Sequence, residues 1–399
     1  MTSPPGNTDR AAPARLPRNV KVIGWASLLN DIAKEMVYPL LSDLLLLVLH
    51  GARTELGTWL GAIDGTAEAA SSFVKLWSGH RSDRGGARKG FVVLGYVLGA
   101  LMRPLAGVAA AAWQLFGLRL AEQIGKGVRN PPRDALIAES AAPDARGRAF
   151  GFHQAMDHVG SAIGPVAAAA FLWFYPHGLR TLFLWTLVPG LAVVVLLIFG
   201  LRSGEPSPRV APPAEHGPWT LRPFGRSFRW YLLALVVFTL GNSSDLFLAM
   251  RARELGVARW LLPLLWCAFG LAKGAGNMVT GRLVDRIGPR PMIVGGWLFY
   301  AGVYLAFGFA TRAWQVWALF FAYALYYALT EPSEKTLVAN LAGKENRGLA
   351  YGWYNAAIGI ATLPASLLFG RLYDVFGPAT AFGAGAGLAL AAACLLAAL

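Results

Sequence analysis

The sequence predicts an all-α, polytopic membrane protein with twelve transmembrane helices in two pseudo-symmetric six-helix bundles. The first observation behind this prediction is composition, because 55% of the 399 residues are hydrophobic and only 15% are charged. Such a chain is too apolar for an ordinary soluble domain. The second observation is a series of apolar segments of membrane-spanning length. The third is a polar motif that occurs twice, about half a chain length apart.

The apolar segments divide the chain into regions. A membrane helix needs about 20 largely apolar residues, and the segments that meet this requirement are 20–49, 56–79, 90–111, 113–140, 146–175, 179–201, 229–254, 258–280, 290–311, 313–340, 346–370 and 377–398. We expect a disordered cytoplasmic tail (1–19), an N-terminal six-helix bundle (20–201), a cytoplasmic linker (202–228) and a C-terminal six-helix bundle (229–399). The linker is rich in proline and arginine, which indicates a flexible tether.

The repeated motif reads Gly-x-x-x-Asp-Arg-x-Gly-x-Arg, and its two copies begin at Gly79 and Gly281, 202 residues apart. A second pair of similar segments, Arg146–Phe152 and Arg347–Trp353, has nearly the same offset. These landmarks indicate that the chain consists of two related halves.

Positive charge is unevenly distributed along the chain, which carries a net charge of +14. In a soluble protein this excess would suggest nucleic acid, but here it falls mostly in alternate loops, as the positive-inside rule requires. We therefore expect a multi-pass protein of the cytoplasmic (inner) membrane with both termini in the cytoplasm, in contact with the lipid bilayer and without a nucleic-acid partner. Arg251, Arg253 and Arg259 are exceptions, because they lie near a loop predicted on the other side.

The repeated motif resembles the signature loop of the major facilitator superfamily, found there between helices 2 and 3 and again between helices 8 and 9. The resemblance implies two bundles that rock about a central cavity. It also implies that the motif's acidic and basic side chains form a gate that closes the cytoplasmic side. The gate candidates are Asp83, Arg84, Asp285 and Arg286.

Two further segments resemble motifs of this family. The segment from Arg119 to Pro131 resembles the helix-4 motif, although Glu122 stands where the family has glutamine. In the fifth predicted helix, Gly151-x8-Gly160-x3-Gly164-Pro165 matches a motif that is typical of antiporters and exporters. The match favours export over import. The glycines are expected to allow close approach of a neighbouring helix.

Ionisable side chains recur on four predicted helices of the N-terminal bundle. Because a charge at membrane depth is costly, these groups are expected to pair with one another or to line a polar cavity, where proton binding can be coupled to opening. The candidates for proton coupling or substrate binding are Asp31, Glu35, Asp64, Glu68, Arg119, Glu122, Lys126, His153, Asp157 and His158.

The C-terminal bundle offers aromatic rings, amides and few charges. This combination suits an organic substrate that is partly apolar or anionic. The candidates for its side of the cavity are Asn242, Asp245, Lys273, Tyr327, Glu331, Tyr354 and Asn355.

These features favour a secondary active transporter that exports a small solute in exchange for protons by alternating access. They are also compatible with a divalent transition-metal exporter, with His153, Asp157, His158, Asp31 and Glu35 as candidate ligands. A proton-coupled uptake symporter or a non-transporting membrane sensor would fit the same scaffold. Because phosphate-binding, zinc-protease and hydrolase motifs are absent from the sequence, we expect neither an enzyme nor a cofactor. We expect a monomer whose partners are a small molecule or ion, protons and lipid.

Overall fold

The computed structural model describes residues 16–85, 88–141, 146–202, 221–342 and 347–398, which contain fifteen α-helices and a short 3-10 helix (Tyr38–Leu40). The α-helices are α1 (Arg18–Glu35), α2 (Leu41–Val48), α3 (Leu56–Gly85), α4 (Arg88–Ala106), α5 (Ala112–Ser140), α6 (Arg146–Phe174), α7 (Leu179–Trp185), α8 (Leu187–Gly200), α9 (Arg226–Gly241), α10 (Leu246–Glu254), α11 (Leu261–Ile287), α12 (Pro289–Phe309), α13 (Ala313–Ala342), α14 (Arg347–Phe376) and α15 (Pro378–Ala397). The predicted all-α class is confirmed.

The fifteen α-helices correspond to the twelve predicted membrane segments, because three of those segments are each divided into two helices. The 3-10 helix, which contains Pro39, separates α1 from α2, and proline lacks the N–H that a continuous α-helix needs. Helices α7 and α8 meet at Thr186. Helices α9 and α10 are separated by the polar segment 242–245. This last break interrupts the helix within the predicted membrane segment 229–254.

Seven of the described helical segments are long and apolar enough to cross a membrane. They are Arg88–Ala106, Phe152–Phe174, Leu179–Gly200, Arg226–Glu254, Pro289–Phe309, Ala350–Phe376 and Pro378–Ala397. Helices α3 and α5 are equally long but carry several charged side chains each. Because these two helices pack against each other, those charges can be paired inside the protein instead of facing lipid.

Helices α1–α8 form the N-terminal bundle and α9–α15 form the C-terminal bundle. We call the end of the molecule at which α3 and α11 finish the signature end, because the repeated motif lies there, and the other end the opposite end. The predicted region boundaries stay a prediction, since residues 1–15 and most of the linker, 203–220, lie outside the described part of the chain.

Stacked aromatic rings form the core of the C-terminal bundle. The ring of Phe238 lies parallel to that of Trp297, with 4.6 Å between centroids, and Tyr300 stacks on Tyr304 at 4.1 Å. All four side chains are buried. Large rings lose few rotamers on packing, so this cluster gives the bundle a stiff inner wall.

The two bundles approach most closely where α3 crosses α14. A Cβ atom placed on Gly61 would lie 2.1 Å from the carbonyl oxygen of Ser366, and one on Gly370 would lie 2.2 Å from that of Gly57. Only glycine permits this backbone separation, as in other membrane helix pairs that pack through small residues. Glycine therefore sets the distance between the bundles.

Alanine at Gly61 is expected to separate α3 from α14 and to lower the thermal unfolding midpoint of the purified protein measurably. The reason is that the new methyl group meets backbone, which cannot rotate away as a side chain can. Gly117→Ala is the matched control, because nothing lies within 4 Å of a Cβ at that position in α5. Equal midpoints for the two variants would contradict the prediction.

The glycines of the predicted helix-5 motif lie in α6 and pack against α1. A Cβ on Gly160 would lie 2.5 Å from the carbonyl oxygen of Leu28, and one on Gly164 would lie 2.6 Å from that of Ile32. The motif therefore allows the close approach expected of it, and the partner helix belongs to the same bundle.

Candidate substrate cavity

A cavity of about 620 Å³ lies between the two bundles. Helices α3 and α5 line one side of it, and the break between α9 and α10, together with α11, α13 and α14, lines the other. The C-terminal side contributes most of the lining, which includes all seven predicted candidates: Asn242, Asp245, Lys273, Tyr327, Glu331, Tyr354 and Asn355. Of the ten N-terminal candidates, three line it: Asp64, Glu68 and Lys126.

The lysines that line the cavity are engaged in ion pairs. Lys126 lies 3.2 Å from Glu68. On the C-terminal side, Lys335 and Lys273 lie 3.3 Å and 3.6 Å from the carboxylate of Glu331. These lysines thus neutralise two of the carboxylates in the lining.

Two other carboxylates in the lining, those of Asp245 and Glu334, are held by neutral donors. Asp245 accepts hydrogen bonds from the hydroxyls of Tyr323 (2.7 Å) and Tyr327 (3.4 Å). Glu334, which is 7% exposed, accepts one from the Tyr354 hydroxyl (2.7 Å) and one from the Trp297 indole (3.3 Å). Among the described residues neither carboxylate forms an ion pair with a lysine, arginine or histidine.

A chain of buried charges connects the N-terminal bundle to the cavity. Glu122 accepts hydrogen bonds from Arg103 (2.5 Å) and Arg119 (2.7 Å), and Arg119 also binds Asp64 at 3.2 Å. Asp64 then accepts a bond of 2.6 Å from the hydroxyl of Ser244, in the break between α9 and α10. The chain therefore crosses from one bundle to the other.

Arg119 and Glu122 do not line the main cavity. They lie beside a separate space of about 30 Å³ with Lys34. Arg119 and Glu122 bind each other. Glu122 also binds Arg103 of α4, and Arg119 also binds Asp64 of α3, so both residues belong to the chain of buried charges.

Asp31, His153 and Asp157 form a group between α1 and α6, which we call the α1–α6 polar group. His153 lies 3.1 Å from the hydroxyl of Ser27 and 3.5 Å from Asp157. The Cβ of Asp31 lies 3.1 Å from the position of a Cβ on Gly160, one helical turn after Asp157. The Oδ1 atom of Asp157 is buried without a hydrogen-bond partner among the described residues. This group lies within the N-terminal bundle.

The predicted metal site is not assembled. Within the described ranges, no group of three or more histidine, cysteine, aspartate and glutamate side chains could hold a metal ion. Of the candidate ligands, His158 is exposed, and Glu35 binds Lys34 (2.7 Å) and the Trp266 indole (3.2 Å) instead of His153. The i, i+4 spacing brought His153 and Asp157 together, beside Asp31, whereas Glu35 is bound elsewhere and His158 is exposed.

At the opposite end, ion pairs hold the bundles together. The buried carboxylate of Asp43, in α2, receives Arg253 of α10 at 3.0 Å and Arg259 at 3.2 Å. Asp374, in α14, accepts backbone N–H bonds from Gly57 (2.8 Å) and Thr58 (2.6 Å) at the start of α3. A carboxylate at a helix N-terminus is stabilised by the free N–H groups there. These contacts account for two of the arginines that depart from the predicted charge pattern.

Of the predicted gate residues, only the side chain of Arg286 is described, and it is exposed. The side chains of Asp83, Arg84 and Asp285 lie outside the described part of the structure. Several inter-bundle hydrogen bonds and ion pairs of the described side chains lie between the middle of the molecule and the opposite end.

The site contains residues that the sequence did not identify as candidates. Glu334 and Tyr38 line the cavity, and Arg103 and Asp43 hold charge partners. Arg103 and Asp43 are each a charged residue within a largely apolar helix segment. This pattern could have identified them from the sequence, because an isolated charge in a membrane helix needs a partner.

Two helical bundles enclosing a cavity with charged and aromatic walls define an integral membrane transporter, not an enzyme. The sequence model of the Major Facilitator Superfamily matches residues 23–266 and 246–399, and the chain belongs to that family.

Relatives and solved structures agree with this membership. The chain is 28% identical over 392 residues to the uncharacterized MFS-type transporter MJ1317 of Methanocaldococcus jannaschii, covering 96% of this chain and 94% of that protein. It is 30% identical to the uncharacterized protein Rv2265 of Mycobacterium tuberculosis (90% and 87% covered) and 22% identical to the multidrug resistance protein MdtH of Salmonella newport (79% of each). A bacterial homolog of the human lysosomal transporter Spinster, in an inward-facing conformation, superimposes with a TM-score of 0.73 at 16% identity and 96% coverage of both chains.

Proposed function

We propose that this protein exports a small organic solute from the cytoplasm in exchange for protons, by alternating access of the cavity to the two sides of the membrane. The observation that carries the proposal is a cavity between the bundles whose lining includes carboxylates without cationic partners among the described residues. Such groups can exchange a proton for a substrate, whereas carboxylates held in ion pairs are less available.

Alternating access is supported by the asymmetry of the inter-bundle contacts. The opposite end is closed by Asp43 and Asp374, whereas lining residues nearer the signature end, Lys335 and Asn355, are exposed. With the signature end in the cytoplasm, as its positive charge suggests, this is an inward-facing state.

Export is supported by two observations of different kinds. Gly160 and Gly164 belong to the motif that is typical of antiporters and exporters, and they allow α6 to pack closely against α1. Among the relatives, MdtH is named a multidrug resistance protein. We propose the α1–α6 polar group as a proton site, because one oxygen of Asp157 is buried without a hydrogen-bond partner among the described residues and the group does not line the cavity between the bundles.

The test of the function is proton movement in proteoliposomes that contain an interior pH dye and are challenged with a panel of organic cations and anions. A proton signal is expected when one of these solutes is added. Solute counterflow without any proton signal would show uniport and overturn the coupling.

Asp157→Asn is expected to reduce solute transport driven by a pH gradient to the level of empty liposomes while leaving folding and solute counterflow intact. The amide keeps the size of the carboxylate but cannot carry the proton. Asp134→Asn is the control, because Asp134 is an aspartate whose side chain is 50% exposed. Gradient-driven flux equal to the wild type would remove Asp157 from the mechanism.

A further inference from the structure

We propose that the C-terminal wall of the cavity binds an organic cation, with Asp245 and Glu334 as its counter-charges and the ring of Tyr327 as its aromatic contact. The inference deepens the proposed transport function by naming the chemical class of the substrate. It differs from the expectation, drawn from residue types alone, that this bundle suits a partly apolar or anionic substrate.

The first argument is the balance of charge in the cavity. An anionic substrate would need a free cation, but Lys126 is paired with Glu68, and Lys273 and Lys335 are both paired with Glu331. The carboxylates of Asp245 and Glu334 receive only neutral donors among the described residues. The lining contains five carboxylates and three lysines, so its formal charge is negative even though two lysines share Glu331, and a cation would neutralise part of it.

The second argument is that the aromatic wall already carries a cation. The ammonium nitrogen of Lys273 lies 3.9 Å from the centroid of the Tyr327 ring, within the range of a cation–π contact. The hydroxyl of the same tyrosine donates towards Asp245 at 3.4 Å. One residue thus presents a ring face to a cation and contacts a carboxylate, which is the geometry that recognises a substituted ammonium group.

The third argument concerns the rest of the substrate. Beside the polar groups, the lining includes the apolar side chains of Leu235, Phe238 and Ile358. A volume of about 620 Å³ lies within the usual range for small-molecule sites. An inorganic cation would leave this apolar surface unused, so the site suits a cation with a hydrocarbon body.

Equilibrium binding to the full-length protein in nanodiscs tests the inference. The probe is radiolabelled tetraphenylphosphonium, and tetraphenylborate is the matched ligand with the same shape and the opposite charge. We expect saturable binding of the cation and not of the anion. Preference for the borate would overturn the proposal. Binding requires no gradient, so a failure here is distinguishable from a failure of proton-coupled export.

The variants Asp245→Asn and Glu334→Gln are expected to weaken tetraphenylphosphonium binding about tenfold or more each, which corresponds to about 1.4 kcal/mol. Tyr327→Leu is expected to weaken it several-fold through loss of the ring face, whereas Tyr327→Phe keeps the ring and is expected to retain most of the affinity. Glu55→Gln is the control, because Glu55 is exposed and outside the cavity. Unchanged affinity in both carboxylate variants would refute the assignment.

Lys273→Met is expected to increase the affinity for tetraphenylphosphonium. A misfolded variant would lose affinity, so misfolding could not produce the expected result. Removing this ammonium vacates the Tyr327 ring and is expected to tighten tetraphenylphosphonium binding several-fold. Lys335→Met removes an equal charge from the same carboxylate, Glu331, and its smaller expected gain measures the purely electrostatic part. Weaker binding in Lys273→Met, or an equal gain in both variants, would overturn the assignment of the ring.

Discussion

Replacing Arg119 with methionine is expected to destabilise the protein by about 3–5 kcal/mol and to abolish transport. Arg119 is 8% exposed and binds both Glu122 (2.7 Å) and Asp64 (3.2 Å). Its loss leaves Asp64 with the hydroxyl of Ser244 as its remaining described partner. A buried carboxylate that loses its cation costs far more than the pair contributed. The measurement is the thermal unfolding midpoint of the purified protein, together with solute flux in proteoliposomes.

A matched control and a rescue make this prediction specific. Lys75→Met removes a cation from a pair with Glu68 that is longer, 4.0 Å, and about one third exposed, so its effect is expected to be about 0–1 kcal/mol. The double variant Arg119→Met with Asp64→Asn is expected to recover part of the lost stability, because the isolated charge is gone. Strictly additive losses in the double variant would contradict the charge chain.

Asp43→Asn is expected to open the end of the molecule opposite the repeated motif. The carboxylate of Asp43 is the shared partner of Arg253 (3.0 Å) and Arg259 (3.2 Å), and it connects the two bundles. Without it, the two arginines of the C-terminal bundle lose their shared partner in the N-terminal bundle and are left as two like charges side by side. If the contact contributes the 1–3 kcal/mol typical of conformational coupling, opening is expected to increase about 5- to 150-fold.

The native cysteines supply the measurement. Cys267, in α11, lies 3.7 Å from the carbonyl oxygen of Ala162 in α6, so its sulfur lies at the contact between the bundles. In a Cys394→Ser background, which removes the exposed second thiol, the rate at which a maleimide labels Cys267 reports separation of the bundles. Glu55→Gln is the control for a lost exposed charge. An unchanged labelling rate in Asp43→Asn would show that these ion pairs do not hold this end closed.

The charged groups at the closed end and those in the cavity have different roles. Asp43 and Asp374 lie where the bundles meet, whereas Asp245 and Glu334 lie where a solute can be held. Arg119 connects the two bundles through Asp64, which binds Ser244 in the break between α9 and α10. Because this break is the point at which helical hydrogen bonding stops, it can change conformation at lower cost than a continuous helix.

The sequence by itself determined the fold class and the family resemblance, and it identified seven of the residues that line the C-terminal side of the cavity. Hydrophobic length is a local property, so the apolar segments can be recognised without knowledge of their partners. The repeat that begins at Gly79 and Gly281 is visible because duplication leaves a constant offset. Helical spacing also placed His153 and Asp157 on one face, where the structure holds them 3.5 Å apart.

Only the tertiary structure decided which charges neutralise one another. Asp64 meets Ser244 across 180 residues, and Thr58 meets Asp374 across 316, distances at which no periodic pattern in the sequence operates. The same limitation explains why the five candidate metal ligands do not lie together in the described ranges and why Glu334 was not selected. Which side chains lie beside a carboxylate depends on helices from elsewhere in the chain. The function of a charged residue in this protein follows from its partner, and the partner is fixed by packing of the bundles.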